Sequence, residues 1–418
     1  MTETKSISSP LKRITVLDAL RGFALLGVVL IHMLQNFGIY SIPSDQSEPL
    51  FPALDEAIQW IGRNIIMGRF INIFAFLFGL SFFIQMDSAA KKGIDFRKRF
   101  VWRMFILLVI GVIAHSFYSL EILSVYAVFG LLMIPLYKIK NWVLVLLACL
   151  LLIGTPRIIQ ATISNSEYSE QVDVTAGNDP EQEENVAPEY IANPSFLNSA
   201  EYHYSERFQG KLNYQFGLIG RGYVTFALFL LGLVVGRIRF FESVDNNKKR
   251  NDFLLLGFTS GVLIVNWIQS ILPEVNTRQL FNPEENYISQ TLLTVQALDD
   301  IGLVLFSGAL TMGFIIIYQT EIVGKYLDVL SPYGRMGLTN YLMQGLIGSF
   351  LFSMWAFGPT FSGWNPTKLF LLGIVIYVAQ IIFSKFWLKH FLYGPLEWLW
   401  RSATYLKQQP FRKRKARK

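Results

Sequence analysis

Residues 17–33 read LDALRGFALLGVVLIHM, a run apolar and long enough to cross a bilayer as a helix, yet it carries Asp18, Arg21 and His32. At about 100° per residue, the steps from Arg21 to His32 end about 20° past three full turns, and Asp18 falls within about 40° of that line. All three therefore share one face. At about 1.5 Å per residue, His32 lies about 16 Å further along the axis than Arg21. Ionisable groups are expensive in hydrocarbon and normally face a bundle interior or an aqueous cavity, which makes this face a functional candidate. The alternative is local: Asp18 and Arg21, at i and i+3, pair at the interface while His32 caps a wet helix end.

The rest of the chain repeats the apolar pattern. Of 418 residues, 52% are hydrophobic and 15% aromatic, with a mean hydropathy of +0.38, far from an average soluble domain. Ten apolar runs succeed one another, at approximately 16–37, 70–86, 100–114, 122–137, 142–159, 216–235, 253–272, 292–318, 337–357 and 369–388. These lengths suit a hydrocarbon core about 30 Å thick. The expected fold is an all-α polytopic integral membrane protein of about ten transmembrane helices. The first run has no A-x-A-like site after it and is expected to be retained rather than cleaved.

The net charge of +7 has an explanation that needs no nucleic acid. Basic residues gather at both ends of the chain and in alternate connections: Lys91, Lys92 and Arg97 to Arg99, then Lys138 and Lys140, Arg237 to Arg250, and Lys325 and Arg335. By the positive-inside rule these lie in the cytoplasm, which requires an even number of helices and puts both termini there. The longest outward connection, 160–215, contains SEYSEQVDVTAGNDPEQEENVAPEY at 166–190, an acidic composition that predicts a partly disordered extracytoplasmic loop. The expected organisation is an N-terminal five-helix half (1–159), this loop (160–215), a C-terminal five-helix half (216–405) and a basic tail (406–418). The lone cysteine, Cys149, excludes an intramolecular disulfide. No histidine pair at ligand spacing, CxxC, P-loop or Gly-rich dinucleotide turn is present, so no metal is expected.

The stretch RGFALLGVVLIH at 21–32 resembles the first-helix signature of membrane-bound acyltransferases, arginine then ten residues then histidine. That superfamily includes the acyltransferase-3 and heparan-glucosaminide N-acetyltransferase groups. Elsewhere FLFGLSFFIQ (76–85), EILSVYAVFGLL (121–132), GRMGLTNYLMQ (334–344) and GPLEWLWR (394–401) are similar to the YeiB-like bacterial family of domain-of-unknown-function 418. Those matches span most of the chain, with that domain covering roughly 232–405. Many members of that family carry asparagine at the position of His32 and aspartate at that of Glu121, so this chain stands nearer the catalytic acyltransferases.

The resemblance implies a protein of the bacterial inner membrane that moves an acyl group from cytoplasmic acyl-CoA to an envelope glycan or lipid-linked acceptor. His32 is then the general base or transient acyl carrier, a role suited to an imidazole of ordinary pKa near 6.5. Arg21, beside Asp18, holds the donor's phosphate end while an extended pantetheine arm spans the 16 Å or so to His32.

Further candidates follow from local motifs. GIDFRKRFVWRM at 93–104 places Arg97, Lys98, Arg99 and Arg103 at a cytoplasmic helix mouth. Arg97 and Arg103 suit the phosphates of CoA, whereas Lys98 and Arg99 equally fit plain topology. AHSFYSLE at 114–121 brings His115 within a tight turn of Glu121. Both are expected to approach His32, where a carboxylate would fix the tautomer of an imidazole. His203 and His390 are expected to be non-catalytic. SPYGRMGLTNYLMQG at 331–345 supplies Arg335, Asn340 and Gln344, which either bind a polar substrate group or join a neighbouring helix. Trp398, Trp400, Arg401 and Tyr405 read as an interfacial anchor. The rival reading is a multi-pass transporter or channel. Against it, the visible intramembrane polar groups gather on the first helix and at helix ends, with no inverted repeat or matched broken helices.

Overall fold

The computed structural model describes residues 15–39, 51–174, 189–281, 283 and 286–413, and among these it is helical with no strand beyond an isolated Phe391–Arg412 bridge. In chain order the helices are α1 (Thr15–Leu34), α2 (Pro52–Ile61), α3 (Arg69–Ala90), α4 (Arg97–His115), α5 (Leu123–Leu136), α6 (Asn141–Leu152), α7 (Thr155–Val174), α8 (Glu189–Ala192), α9 (Phe196–Ser205), α10 (Arg207–Phe216), α11 (Arg221–Arg237), α12 (Lys248–Ile271), α13 (Gln290–Tyr318), α14 (Val323–Leu327), α15 (Leu330–Arg335), α16 (Gly337–Phe352), α17 (Gly358–Phe361), α18 (Pro366–His390) and α19 (Pro395–Tyr405).

Each of the ten apolar runs coincides with helix. Among the described residues, six helices are long and apolar enough to cross a membrane, seven if the bent α9–α10 and α11 pair counts as one span. The other candidates are short or charged: α5 has 14 residues and α16 has 16, and α4 carries Arg97, Lys98, Arg99 and Arg103. Where helices start is legible locally. Ser289 accepts from the Leu292 N–H, and Asn365 accepts from the Lys368 N–H ahead of Pro366, each satisfying a first-turn donor that the helix itself leaves bare.

The first helix is the hub. Leu20, Ala24, Leu25, Val29 and Met33 are fully buried, because α1 packs against α3, α15 and α18. By contrast α12 turns Phe253, Leu256, Leu263 and Trp267 outward, as suits a helix facing lipid. Small residues set the closest crossings. A Cβ at Gly79 on α3 would collide with the Phe229 carbonyl of α11, and one at Gly232 with the Phe76 carbonyl. Gly334 on α15 meets the Asp18 carbonyl of α1 in the same way. With no hydrophobic drive between helices in lipid, such backbone proximity is what yields dense van der Waals contact.

Two expectations from sequence are corrected. First, much of 160–215 is helix rather than loop: α7 continues through it, and α8 to α10 follow. Apolar contacts hidden by the acidic average explain this. Phe196 packs on Phe117 and Trp355, Tyr190 packs on Tyr202, and Ser195 caps α9 by accepting from the Asn198 N–H. Residues 175–188, where disorder was expected, lie outside the described residues. Second, broken helices do occur in concert. Gly68, Gly154 and Gly220 adopt φ of 77°, 82° and 66°, a left-handed backbone that only glycine takes without strain, and α3, α7 and α11 begin directly after them.

All three interruptions meet a buried ion cluster that the sequence did not flag. Arg157 Nη2 lies 2.6 Å from Asp300 Oδ2, each residue 1% exposed. Arg157 also donates to the Leu218 and Ile219 carbonyls at 2.5 and 2.8 Å, which ties the α10–α11 turn to α7. Arg221 faces the other oxygen of Asp300 at 3.8 Å and donates to Asn72 Oδ1 at 3.0 Å.

The glycine crossings generate a prediction. Gly79→Ala and Gly232→Ala are each expected to destabilise the detergent-solubilised protein by about 1–3 kcal/mol through overpacking. Gly257→Ala and Gly313→Ala, where an added Cβ meets nothing within 4 Å, are expected to be neutral or slightly stabilising, since alanine is the better helix former. Thermal melts of the four variants decide it; equal losses at all four would refute the crossing argument.

Candidate functional site

A cavity of about 510 Å³ opens between the first turns of α1 and α4, the second half of α3, and α15, α16 and α19. Its walls are Phe74, Leu77, Phe78, Leu107 and Leu123, and its polar rim is Asp18, Arg21, Ser81, Gln85, Arg103, Arg335, Glu397 and Arg401. Four sequence candidates, Asp18, Arg21, Arg103 and Arg335, therefore meet in one place although they come from three distant segments. Arg21 donates to Asp18 Oδ1 at 2.9 Å and to Ser81 Oγ at 2.6 Å. Burial of Asp18 makes this more than a surface pair: it anchors the α1 guanidinium against α3.

Arg103 sits 3.5 Å over the Trp400 ring, and the Trp400 indole N–H donates to the Arg103 carbonyl at 3.0 Å. Arg401 lies over Tyr393 and Tyr405 at 5.0 and 5.5 Å. Guanidinium planes stacked on aromatic faces are held in place while their donors stay available. The Nε atoms of Arg103 and Arg401 are indeed buried with no hydrogen-bond partner. Glu397 accepts from the Thr339 N–H at 3.0 Å and from its hydroxyl at 2.6 Å; burial pushes its carboxyl above the ordinary value despite these bonds. With four guanidinium groups against two carboxylates on the rim, the cavity favours an anionic ligand head with an apolar tail.

The α19 residues were missed as site residues because their tryptophans and tyrosine read as a membrane anchor. The GPLEWLWR motif was the available signal.

His32 lies elsewhere. Its ring packs edge-on against Phe37 at 5.1 Å, and among the described residues no hydrogen bond or ion pair joins it to His115 or Glu121. Phe37 in turn packs on Tyr118, and Tyr118 on Tyr341 of the cavity wall. This buried aromatic file lies between His32 and the cavity, and the expected pairing of His115 and Glu121 with His32 is not made. Those two residues instead centre on Lys211 of α10. Its ammonium pairs with Glu121, lies 3.2 Å from Ser124 Oγ and 3.5 Å from His115 Nδ1. Glu121 also accepts from the Ser124 hydroxyl at 2.5 Å and its N–H at 3.1 Å. His115 and His203 exchange ring-to-carbonyl contacts at 3.0 and 3.1 Å, so His203 is a buried packing residue rather than part of a flexible loop. Nothing in the sequence around Lys211 marked it, because its segment was read as loop.

The remaining candidates stand apart from the cavity. Arg97 grips Asp95 through both oxygens at 2.8 to 3.2 Å, and this holds the exposed Asp95 carboxyl down at about 2. Arg99 lies over Tyr405 at 4.9 Å. Asn340 donates to the Tyr333 carbonyl and Ser384, and Gln344 donates to the Tyr333 hydroxyl and Gln380, at 2.7 to 3.2 Å. Of the two readings open for these amides, the structure shows the one that joins α15, α16 and α18.

Two family models match the chain. Residues 13–178 match the family described as heparan-alpha-glucosaminide N-acetyltransferase, catalytic, and residues 235–407 match the protein family of unknown function DUF418. The chain is 29% identical over 414 residues, 96% of each chain, to an uncharacterized 39.9 kDa protein from the amylase 3′ region of Bacillus acidopullulyticus. It is 28% identical over 426 residues, 96% of this chain and 97% of the relative, to the uncharacterized protein YxaH of Bacillus subtilis (strain 168). A segment of 80 residues, 19% of this chain and 20% of the relative, is 40% identical to the uncharacterized protein YeiB of Escherichia coli (strain K12). The chain is thus similar to the YeiB-like DUF418 family in its C-terminal part and has an acyltransferase-like N-terminal region.

Proposed function

We propose that this protein is a multi-pass acyltransferase of the bacterial inner membrane, with ten spans and both termini cytoplasmic, that transfers an acyl group from cytoplasmic acyl-CoA to an envelope glycan or lipid-linked acceptor. The observation that carries the reading is the joint cavity of Arg21, Arg103 and Arg335 with an apolar wall, to which the segment that matches an acetyltransferase catalytic family contributes Arg21 and Arg103 and the DUF418 segment Arg335. Arg103, Arg335 and Arg401 would hold the donor's phosphates, with Arg21 fixed by Asp18 beside them. Phe78, Leu107 and Leu123 would take the thioester arm.

In this reading the His32 imidazole takes the proton of the acceptor hydroxyl or amine as its oxygen or nitrogen attacks the thioester carbonyl. The carbon–sulfur bond breaks, and the leaving thiolate takes the proton back from the imidazolium, which leaves acylated acceptor and free CoA. Donor and His32 can meet only if Phe37 and Tyr118 swing aside, so those rings act as the gate between the two faces.

A second reading, transport without covalent chemistry, is favoured by one observation: three helices interrupted at glycines around a buried charge cluster, an arrangement familiar from transporter sites.

Purified protein incubated with radiolabelled acetyl-CoA and, in parallel, a long-chain acyl-CoA separates the two. Arg21→Ala and Arg103→Ala are expected to weaken donor binding by about tenfold or more with the fold intact. His32→Ala is expected to bind the donor but lose its turnover. Intact donors, no binding and no dependence on His32 would move the assignment to transport.

Topology has its own test. With Cys149 replaced by serine, a membrane-impermeant maleimide applied to intact cells is expected to label Leu197→Cys and to spare Lys92→Cys, both at exposed positions. The reverse pattern would overturn the cytoplasmic placement of the termini.

A further inference from the structure

The first turn of α4 carries Arg97, Lys98 and Arg99, at the end of a helix where cations are least favoured. A helix N-terminus presents bare N–H groups and the positive end of the dipole, so a cation placed there calls for an anion nearby. Arg97 has one in Asp95. Lys98 and Arg99 have no ion-pair partner among the described residues, and they differ in how they are held. The exposed Arg99 guanidinium lies 4.9 Å from the centre of the Tyr405 ring of α19, whereas no ring contact fixes Lys98. Positive-inside topology accounts for the sign of both charges, but not for the stacking of one of them.

The Tyr405 ring also carries Arg401 at 5.5 Å, and Arg103, one turn along α4 from Arg99, stacks on Trp400 at 3.5 Å. Arg103 and Arg401 line the cavity. Arg99 stands just outside it, about 6 Å from Arg103 along the helix at 1.5 Å per residue. Two neighbouring rings of α19 thus hold three guanidinium groups, and among the described residues no carboxylate pairs with any of them. The Nε atoms of Arg103 and Arg401 are buried without a hydrogen-bond partner. Glu397, the carboxylate of α19, is taken up by the Thr339 N–H and hydroxyl. Like charges held this close repel, and planar donor forks fixed in such a cluster match the oxygens of a phosphate.

Coenzyme A carries phosphate in two places: a diphosphate at the head of the pantetheine arm, and a separate phosphomonoester on the ribose. We propose that the ribose phosphate binds at the α4–α19 seam, between Arg99 and Arg401, while Arg21, Arg103 and Arg335 face the diphosphate inside the cavity. A phosphomonoester bears close to two negative charges near neutral pH, which answers two guanidinium groups that have no other counter-charge. The inference rests on the acyl-CoA reading of the cavity. It adds Arg99 as the residue that tells coenzyme A from donors lacking this phosphate.

Equilibrium binding of radiolabelled acetyl-CoA to the full-length protein in phosphatidylcholine nanodiscs, with acetyl-dephospho-CoA as competitor, tests this. The dephospho donor is expected to bind the wild-type protein more weakly by about tenfold or more. Arg99→Gln is expected to bring acetyl-CoA down to that level and to leave acetyl-dephospho-CoA unchanged, which also shows that the variant is folded. Lys98→Gln, which removes the same charge one residue away, is expected to keep the preference, and so is phosphatidylglycerol added to the nanodiscs. Equal binding of the two donors by the wild-type protein would overturn the proposal and leave the donor cavity standing. So would a preference that survives Arg99→Gln or is lost as fully in Lys98→Gln. Loss of the preference in phosphatidylglycerol would overturn it by assigning the seam to a lipid phosphate. Failure of both donors to bind would overturn the acyl-CoA reading together with it.

Discussion

An ionised side chain inside hydrocarbon has no water to solvate it, and the polar architecture of this bundle follows from that constraint. Asp18 and Arg21 on α1 answer it with Ser81 of α3. Glu121 answers it with Lys211 and Ser124, and Asp300 with two arginines from two other helices. Because breaking a buried pair strands its partner, each cluster specifies which helices must be neighbours more sharply than apolar packing can. The amide chain of Asn340, Gln344 and Gln380 does the same for α16 and α18 without charge.

Close approach is the second ordering principle, and it works through glycine. Where α3 meets α11, backbone lies against backbone at Gly79 and Gly232; where α1 meets α15, it does so at Gly22 and Gly334. These tight crossings leave no room for a side chain between the two backbones. Space is left instead where α19 lies across the bundle end, with Trp400 and Arg401 too bulky to close on α4 as glycine would. The cavity thus has aromatic and aliphatic walls from the spanning helices and a cationic rim from α1, α4, α15 and α19, a division of labour suited to a ligand with a charged head and a thin apolar arm.

The geometry also places His32 apart from the cationic rim. His32 is one aromatic file away from the cavity, behind Phe37 and Tyr118. Phe37 takes a left-handed backbone at φ 52° directly after α1, a conformation that branched or bulky residues rarely adopt and that marks a stored strain.

Ten helical runs, their apolar faces and the common face of Asp18, Arg21 and His32 could be read from sequence alone, because periodicity and hydropathy are properties of consecutive residues. Arg21, Arg103 and Arg335 could be singled out for the same reason, each being charged at the edge of an apolar run, but that Arg335 joins the other two around one cavity could not. Partners were not legible. That His115 and Glu121 turn to Lys211 rather than to His32, that Asn340 and Gln344 knit helices, and that Trp400 and Arg401 wall a cavity depend on which helices lie side by side. Likewise Arg157 and Asp300 are 143 residues apart, and Arg157 and Arg221 taken singly resemble helix-end or loop charges. Local sequence sets where a chain can be helical in a membrane; only the tertiary packing decides which charges face one another, because a buried charge is settled by its neighbours in space.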